Sequence, residues 1–155
     1  MEYELFFGII GFVLGTAALI ISFKSLNHNK IEAVNAYYEN ARRKDFIEAR
    51  RIVYNNLPEN YDPQEIQDRY GDEIAILITT YEQCGLMLKK SQLPFWLFSE
   101  TSTSIVVVNF YAKLEPYIIH RRKSNPLYAK NFEYLNNELT KYLSKQRIVI
   151  PPTKG

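Results

Sequence analysis

Hydrophobic positions along this chain fall into two regimes. From Leu5 to Phe23, LFFGIIGFVLGTAALIISF, they form an uninterrupted apolar run of nineteen residues with no charge and no proline. As a helix that run is about 28 Å long, close to the ~30 Å hydrocarbon core of a bilayer. After Phe23 apolar residues recur every three or four positions, the spacing of amphipathic helices that bury one face each. The pattern predicts an all-α chain: one N-terminal transmembrane helix (5–23), then a cytosolic multi-helix bundle of five or six helices (24–145). A short N-terminus (1–4) precedes the anchor, and a C-terminal tail (146–155) follows the bundle.

Within the bundle, Ile31, Val34, Tyr38 and Ala41 share one helical face between Lys24 and about Arg43. Lys44-Asp45 marks a break, with Asp45 as N-cap of a segment through Asn56 that carries Phe46, Ala49 and Val53. Asp62-Pro63-Gln64-Glu65 combines a capping acid, proline at the first helical position and an acid at N3. Gly71 is expected to end that short helix. The next, from Asp72 to Lys89, carries Ile74, Leu77, Ile78, Tyr81, Cys84 and Leu88, with Gly85 in its interior marking a close helix crossing or, alternatively, a hinge. Leu93-Pro94 opens a short segment containing Trp96. Ser104 to Lys123 is ambiguous, because Ile105 to Val108 has strand composition. Ile105, Val108, Tyr111, Ala112 and Glu115 fit a helix, kinked at Pro116, and no turn or partner strand follows. A last helix is expected from Leu127 to about Leu143, with Leu127, Phe132, Leu135, Leu139 and Tyr142 on one face.

Composition narrows the setting. Twelve Tyr and nine Phe supply a core, and a net charge of +2 is too small to argue for nucleic acid as a bulk partner. RNA recognition would also want exposed aromatics among basic residues, whereas most tyrosines here fall on core faces. The single Cys84 cannot form an intrachain disulfide and lies in an apolar helical pattern, which suits a reducing compartment and a buried thiol.

The leader Met-Glu-Tyr-Glu lacks the basic n-region of a signal peptide, and the apolar run is too long for its h-region. The expectation is therefore a retained single-pass anchor in the inner (plasma) membrane. Lys24, Lys30 and Arg42-Arg43-Lys44 flank it on the C-terminal side, against Glu2 and Glu4 before it. That asymmetry predicts the N-terminus outside and the domain in the cytoplasm. Gly8, Gly11, Gly15, Ala18 and Ser22 follow at spacings of three and four, so they share a face, and Gly11 and Gly15 form a GxxxG. Such a stripe lets helix backbones approach, which predicts a homo-oligomer or pairing with another membrane helix.

Candidate chemistry is sparse. No nucleotide-binding loop, nucleophile elbow or metalloprotease motif is present, and neither His28 nor His120 has companions at metal-ligand spacing. No catalytic residue, metal or cofactor is predicted. Glu82, Glu115 and His120 would have to meet in a polar cleft for an enzyme acting on a lipid-derived or nucleotide substrate. An acidic stretch runs through Glu59, Asp62, Glu65, Asp68, Asp72 and Glu73. Basic clusters at Arg42 to Lys44, Arg50-Arg51, Lys89-Lys90 and Arg121 to Lys123 read as solvated helix ends, or as contacts to anionic lipid for those near the membrane. Arg121, Arg122 and Lys123 are the candidate recognition patch for a phosphate or a partner's acids, since arginine presents a bidentate fork.

Several stretches resemble a family of small bacterial and prophage-encoded, membrane-anchored proteins classed as a domain of unknown function. They are Glu48 to Tyr54, Tyr81 to Leu86, Phe110-Tyr111, Leu114 to Ile118, Arg121-Arg122, Pro126 to Tyr128 and Phe132 to Leu135. The resemblance covers about 30–140 and implies an all-helical cytosolic domain behind one membrane helix, with no activity, cofactor or catalytic residue. The expected function is a protein-interaction or scaffolding module at the cytoplasmic face, bound to the bilayer and to a protein partner. The alternative is a phage-related membrane effector or superinfection-exclusion factor that acts by oligomerisation of the anchor.

Overall fold

The computed structural model describes residues 21–148 apart from 23, 26, 27, 100 and 101. The described residues contain helices and no strand. Helical backbone over 28–42 forms α1. It is followed by α2 (Lys44–Asn56), α3 (Pro63–Lys89), α4 (Trp96–Ser99), α5 (Thr103–Arg122) and α6 (Lys130–Lys145). The centre is α3, a helix of 27 residues against which α2, α5 and α6 all pack.

The start of α3 follows its sequence: the Asp62 carboxylate accepts from the Gln64 amide at 2.7 Å, and Pro63 takes the first turn. The break expected at Gly71 is present as a kink within α3 rather than as a helix end. The backbone departs from helical values one residue earlier, at Tyr70 (φ −135°, ψ 21°), and the helix then resumes to Lys89. Asp45 is likewise not a cap. Helix α2 begins at Lys44, and Asp45, in its first turn, pairs with the Arg43 guanidinium.

The core is a continuous cluster in which Val53, Ile74, Leu77, Phe98, Val107, Leu114, Ile118, Phe132, Leu135 and Leu139 are fully enclosed. A string of rings joins four helices. Phe46 of α2 meets Tyr81 of α3 edge-on at 5.8 Å, Tyr81 stacks on Phe132 of α6 at 5.1 Å, and Phe132 meets Tyr111 of α5 at 5.1 Å. Each such pair adds about 1 kcal/mol beyond the area it buries. The sheltered Cys84 thiol is pushed up to about 12 by burial, which leaves it a core group.

The strand-like composition at Ile105 to Val108 belongs to a helix. Here α5 buries Val107 and Val108, while Ile105 and Val106 are half-buried on its flank. A helix apolar round most of its circumference loses the periodic signature. Helix α5 runs on through Pro116; the Ala112 carbonyl that proline cannot serve belongs to an exposed residue.

Two faces differ from expectation. On α1 the buried residue is Ala33, with Val34 and Tyr37 half-buried, while Ile31 and Tyr38 are 60% and 44% exposed. The small Ala33 lets α1 approach, and Tyr37 then lies edge-on to Phe98 at 5.4 Å. Leu127 is 74% exposed and precedes the last helix, which starts three residues later. Arg122 sets that boundary. Its guanidinium donates to the carbonyls of Tyr128 (2.8 Å) and Ala129 (3.3 Å) and pairs with Glu133 (3.1 Å), fixing a turn in which Ala129 takes φ 56°.

Helix directions decide which residues share an end of the bundle. Asn40 and Arg43 share a cleft with Ile76, Thr80 and Gln83 of α3, and Tyr37 reaches Phe98, beyond the end of α3. Thus α1 runs antiparallel to α3, and residue 28 lies at the end of the bundle where α3 finishes. Helix α6 runs the other way along α3, from Glu82 at its start to Tyr142 beside Phe95 at its finish (ring centroids 5.6 Å).

Candidate functional site

Helices α2 and α5 both rest on α3 yet stand apart from each other, leaving a trough of about 670 Å³. Its walls are Ile47, Arg50, Tyr54 and neighbours on α2, and Ile105, Val106, Phe110 and Lys113 on α5. Both outer apolar residues of α2 are open to solvent, Ile47 at 51% and Tyr54 at 63%. The volume and the mostly apolar lining are those of a ligand or peptide site.

The polar groups of the trough are of one sign. Arg50, Arg51 and Lys113 line it with Asn55 and Asn109, and no lining residue is acidic. The Arg50 guanidinium lies 5.8 Å from the ring centres of both Phe46 and Phe110 and pairs with no carboxylate among the described residues. Arg51 is neutralised by Glu48 at 2.6 Å. Lys113 donates to the Tyr54 carbonyl at 2.8 Å, tying the last turn of α2 to α5, while the Tyr61 hydroxyl donates to the Lys113 carbonyl at 2.9 Å. Burial holds the Lys113 ammonium below the usual lysine range. A half-desolvated cation is a ready partner for an incoming anion. The sequence did hold a signal. Ile47 and Tyr54, seven apart with Arg50 and Arg51 between, make a second stripe on α2 beside the core stripe of Phe46, Ala49 and Val53.

The adjacent residues Arg121, Arg122 and Lys123 go three ways. Arg122 is spent inside the fold, on the turn before α6. Arg121 donates to the Gln67 side-chain oxygen at 2.8 Å, shares that oxygen with the Tyr117 hydroxyl (2.8 Å), and lies over the Tyr128 ring at 5.5 Å. It lines a polar cleft of about 450 Å³ with Asp68, Asp72 and Glu73. Burial pushes the Tyr128 hydroxyl up to about 12. Lys123 is exposed. Gly8, Gly11, Gly15 and Ala18 lie outside the described residues, and Ser22 is exposed on helical backbone. Among the described residues no helix is long and apolar enough to cross a membrane, and the run 5–23 lies almost wholly outside them.

Glu82, Glu115 and His120 do not line the trough. Glu82 has a structural duty: its carboxylate accepts from the amides of Asn131 (2.9 Å) and Phe132 (2.8 Å) and from the Asn131 side chain (2.8 Å), capping α6 from the neighbouring helix. Among the described residues no group of His, Cys, Asp or Glu could hold a metal ion.

The described residues form an all-helical bundle with an apolar, basic trough between α2 and α5. Residues 7–139 match the domain of unknown function DUF4760, and the chain belongs to that family. Neither the curated proteins nor the solved structures contain a match to it.

Proposed function

We propose that this chain is a membrane-anchored binding module at the cytoplasmic face, and that the trough between α2 and α5 receives an acidic amphipathic helix of a protein partner. The observation that carries the reading is the lining of the trough: an apolar floor, two cations without a carboxylate partner among the described residues, Arg50 and Lys113, and no acid among the lining residues. An amphipathic helix laid between two helices buries its apolar face in this way and places its acids on the rim. The anchor reading draws support from the apolar length of 5–23, from the lysines that follow it, and from a family match that begins at residue 7, within that run. In this reading residues 1–4 are extracytoplasmic, and Gly8, Gly11, Gly15, Ala18 and Ser22 pair the anchor with a second copy or another membrane helix.

The test is site-specific photo-crosslinking of the full chain in cells. A crosslinker at Val106 should capture a defined acidic helical peptide, and Arg50→Glu with Lys113→Glu should abolish the capture. Capture at Val106 no different from that at the exposed Ile119, or capture that survives both charge reversals, would refute the trough as the recognition surface.

A further inference from the structure

Exposed charge is distributed unequally between the two ends of the bundle. The start of α3 carries Glu65, Asp68, Asp72 and Glu73, with Arg69 (3.6 Å from Glu65) and Arg121 among them. The other end gathers the close of α3 (Lys89, Lys90), the one-turn α4 and the close of α6 (Lys145, Arg147). Lys30 of α1 arrives there too, because α1 runs antiparallel to α3. Lys30, Lys89, Lys90, Lys145 and Arg147 are exposed and pair with no carboxylate among the described residues. On the same helices Glu32 pairs with His28 (3.0 Å) and Glu138 with Lys141 (2.8 Å); Glu100 lies outside the described residues.

Lysines at helix C-termini are explained by the macrodipole alone. Trp96 is not. It is 47% exposed on α4, whose next two residues, Leu97 and Phe98, are buried and fix the helix from behind. Ile148, 42% exposed, lies in the closing turn of α6 at the same end. An exposed tryptophan and isoleucine at the same end of the bundle as lysines without carboxylate partners match the interfacial layer of a bilayer, where the indole sits at head-group level and cations meet anionic lipid.

We propose that this end of the bundle is a lipid-contact surface that rests on the anionic membrane face, with Trp96 among the head groups and Lys89, Lys90, Lys145 and Arg147 around it. The proposal rests on the anchor reading, because the chain enters the bundle at this end, through α1 directly after the run 5–23. It also fixes orientation. Along the straight part of α3, Glu73 lies roughly 24 Å from Lys89, about three Debye lengths, and Glu65 and Asp68 lie beyond the kink at Tyr70. Lys89, Lys90 and Lys145 are far from the anchor in sequence, and the antiparallel packing of α1 and α3 brings them to the membrane side.

Trp96 is the single tryptophan of the chain, so its emission reports this surface alone. The experiment uses the full chain reconstituted in vesicles of phosphatidylcholine, with and without phosphatidylglycerol, containing lipid brominated near the head group. With phosphatidylglycerol, Trp96 emission should shift to the blue and be quenched by the brominated lipid. Combining Lys89→Glu, Lys90→Glu and Lys145→Glu should erase the difference between the two lipids while the helical circular dichroism stays unchanged. Trp96 open to aqueous quencher in both lipids would overturn the proposal, as would quenching of equal size in both. Flotation of the phosphatidylcholine vesicles after a carbonate wash tests the anchor separately. A chain washed off neutral vesicles defeats the anchor; a chain retained there, with Trp96 in water on anionic vesicles, defeats the contact surface and leaves the anchor standing.

Discussion

The two flanks of α3 meet their neighbours in opposite ways. On one side α6 presses against it until backbones nearly touch: a Cβ on Gly85 would lie 1.9 Å from the Asn131 carbonyl oxygen. Three residues earlier, Glu82 accepts the first amides of α6. A missing side chain and a carboxylate, one helical turn apart, make a seat for a helix end that lacks a cap of its own. On the other side α2 and α5 rest on α3 without closing on each other, and Arg50 of the trough pairs with no acid among the described residues. The lesson is one of charge disposal. On the closed side the first amides of α6 find a carboxylate within the chain. Where a partner is expected from outside, cations stay unpaired.

The contrast can be broken first at the closed side. Gly85→Ala should cost about 3 kcal/mol, because the added methyl meets backbone that cannot swing away; chemical denaturation of the purified chain measures it. Alkaline pH attacks the core beside the same helix. The Cys84 thiol titrates near 9.0 when unfolded and at about 12 in the fold, so the charged form is favoured only on unfolding. Stability is full below pH 9 and falls as the pH rises toward 12, which thiolate absorbance and loss of helicity should report together. Glu82→Gln keeps an acceptor but removes the charge at the start of α6, and should cost about 2 kcal/mol by urea midpoint. Gly71→Ala, in the same helix as Gly85 but with only Gln67 near, at 3.7 Å, should instead gain about 1 kcal/mol. Smallest of all, Ile47→Ser with Tyr54→Ser on the open side should shift stability by no more than about 0.5 kcal/mol while abolishing crosslinking from Val106.

Much of the fold was legible because period and caps report local energetics. Phe46, Ala49 and Val53 on α2, the Asp62-Pro63 start and the close crossing at Gly85 were all readable from residue type and spacing. What escaped depends on tertiary partners. The face of α1 turned on Ala33 being small enough for Phe98 to be reached, and no periodicity favours an alanine over Ile31. The start of α6 was set by Arg122 holding the Tyr128 and Ala129 carbonyls, a bond across the turn that the string Arg121-Arg122-Lys123 does not advertise. For the same reason a triplet that reads as a patch divides among a clamp, a cleft wall and an exposed lysine. The trough needed knowledge that α2 and α5 stand apart. Only the outer stripe of Ile47 and Tyr54 pointed toward it.

The joint between α1 and α2 has a mechanical consequence. One residue, Arg43, separates the two helices, and it is bonded on both sides: its amide donates to the Asn40 carbonyl at 3.2 Å, and its own carbonyl accepts from the Ile47 amide at 3.0 Å. A joint so short has no slack. Tilt or rotation imposed on α1 is handed to α2 as torque, and α2 is one wall of the trough. Insertion of a few glycines at Arg43 would uncouple the two motions and leave each helix intact.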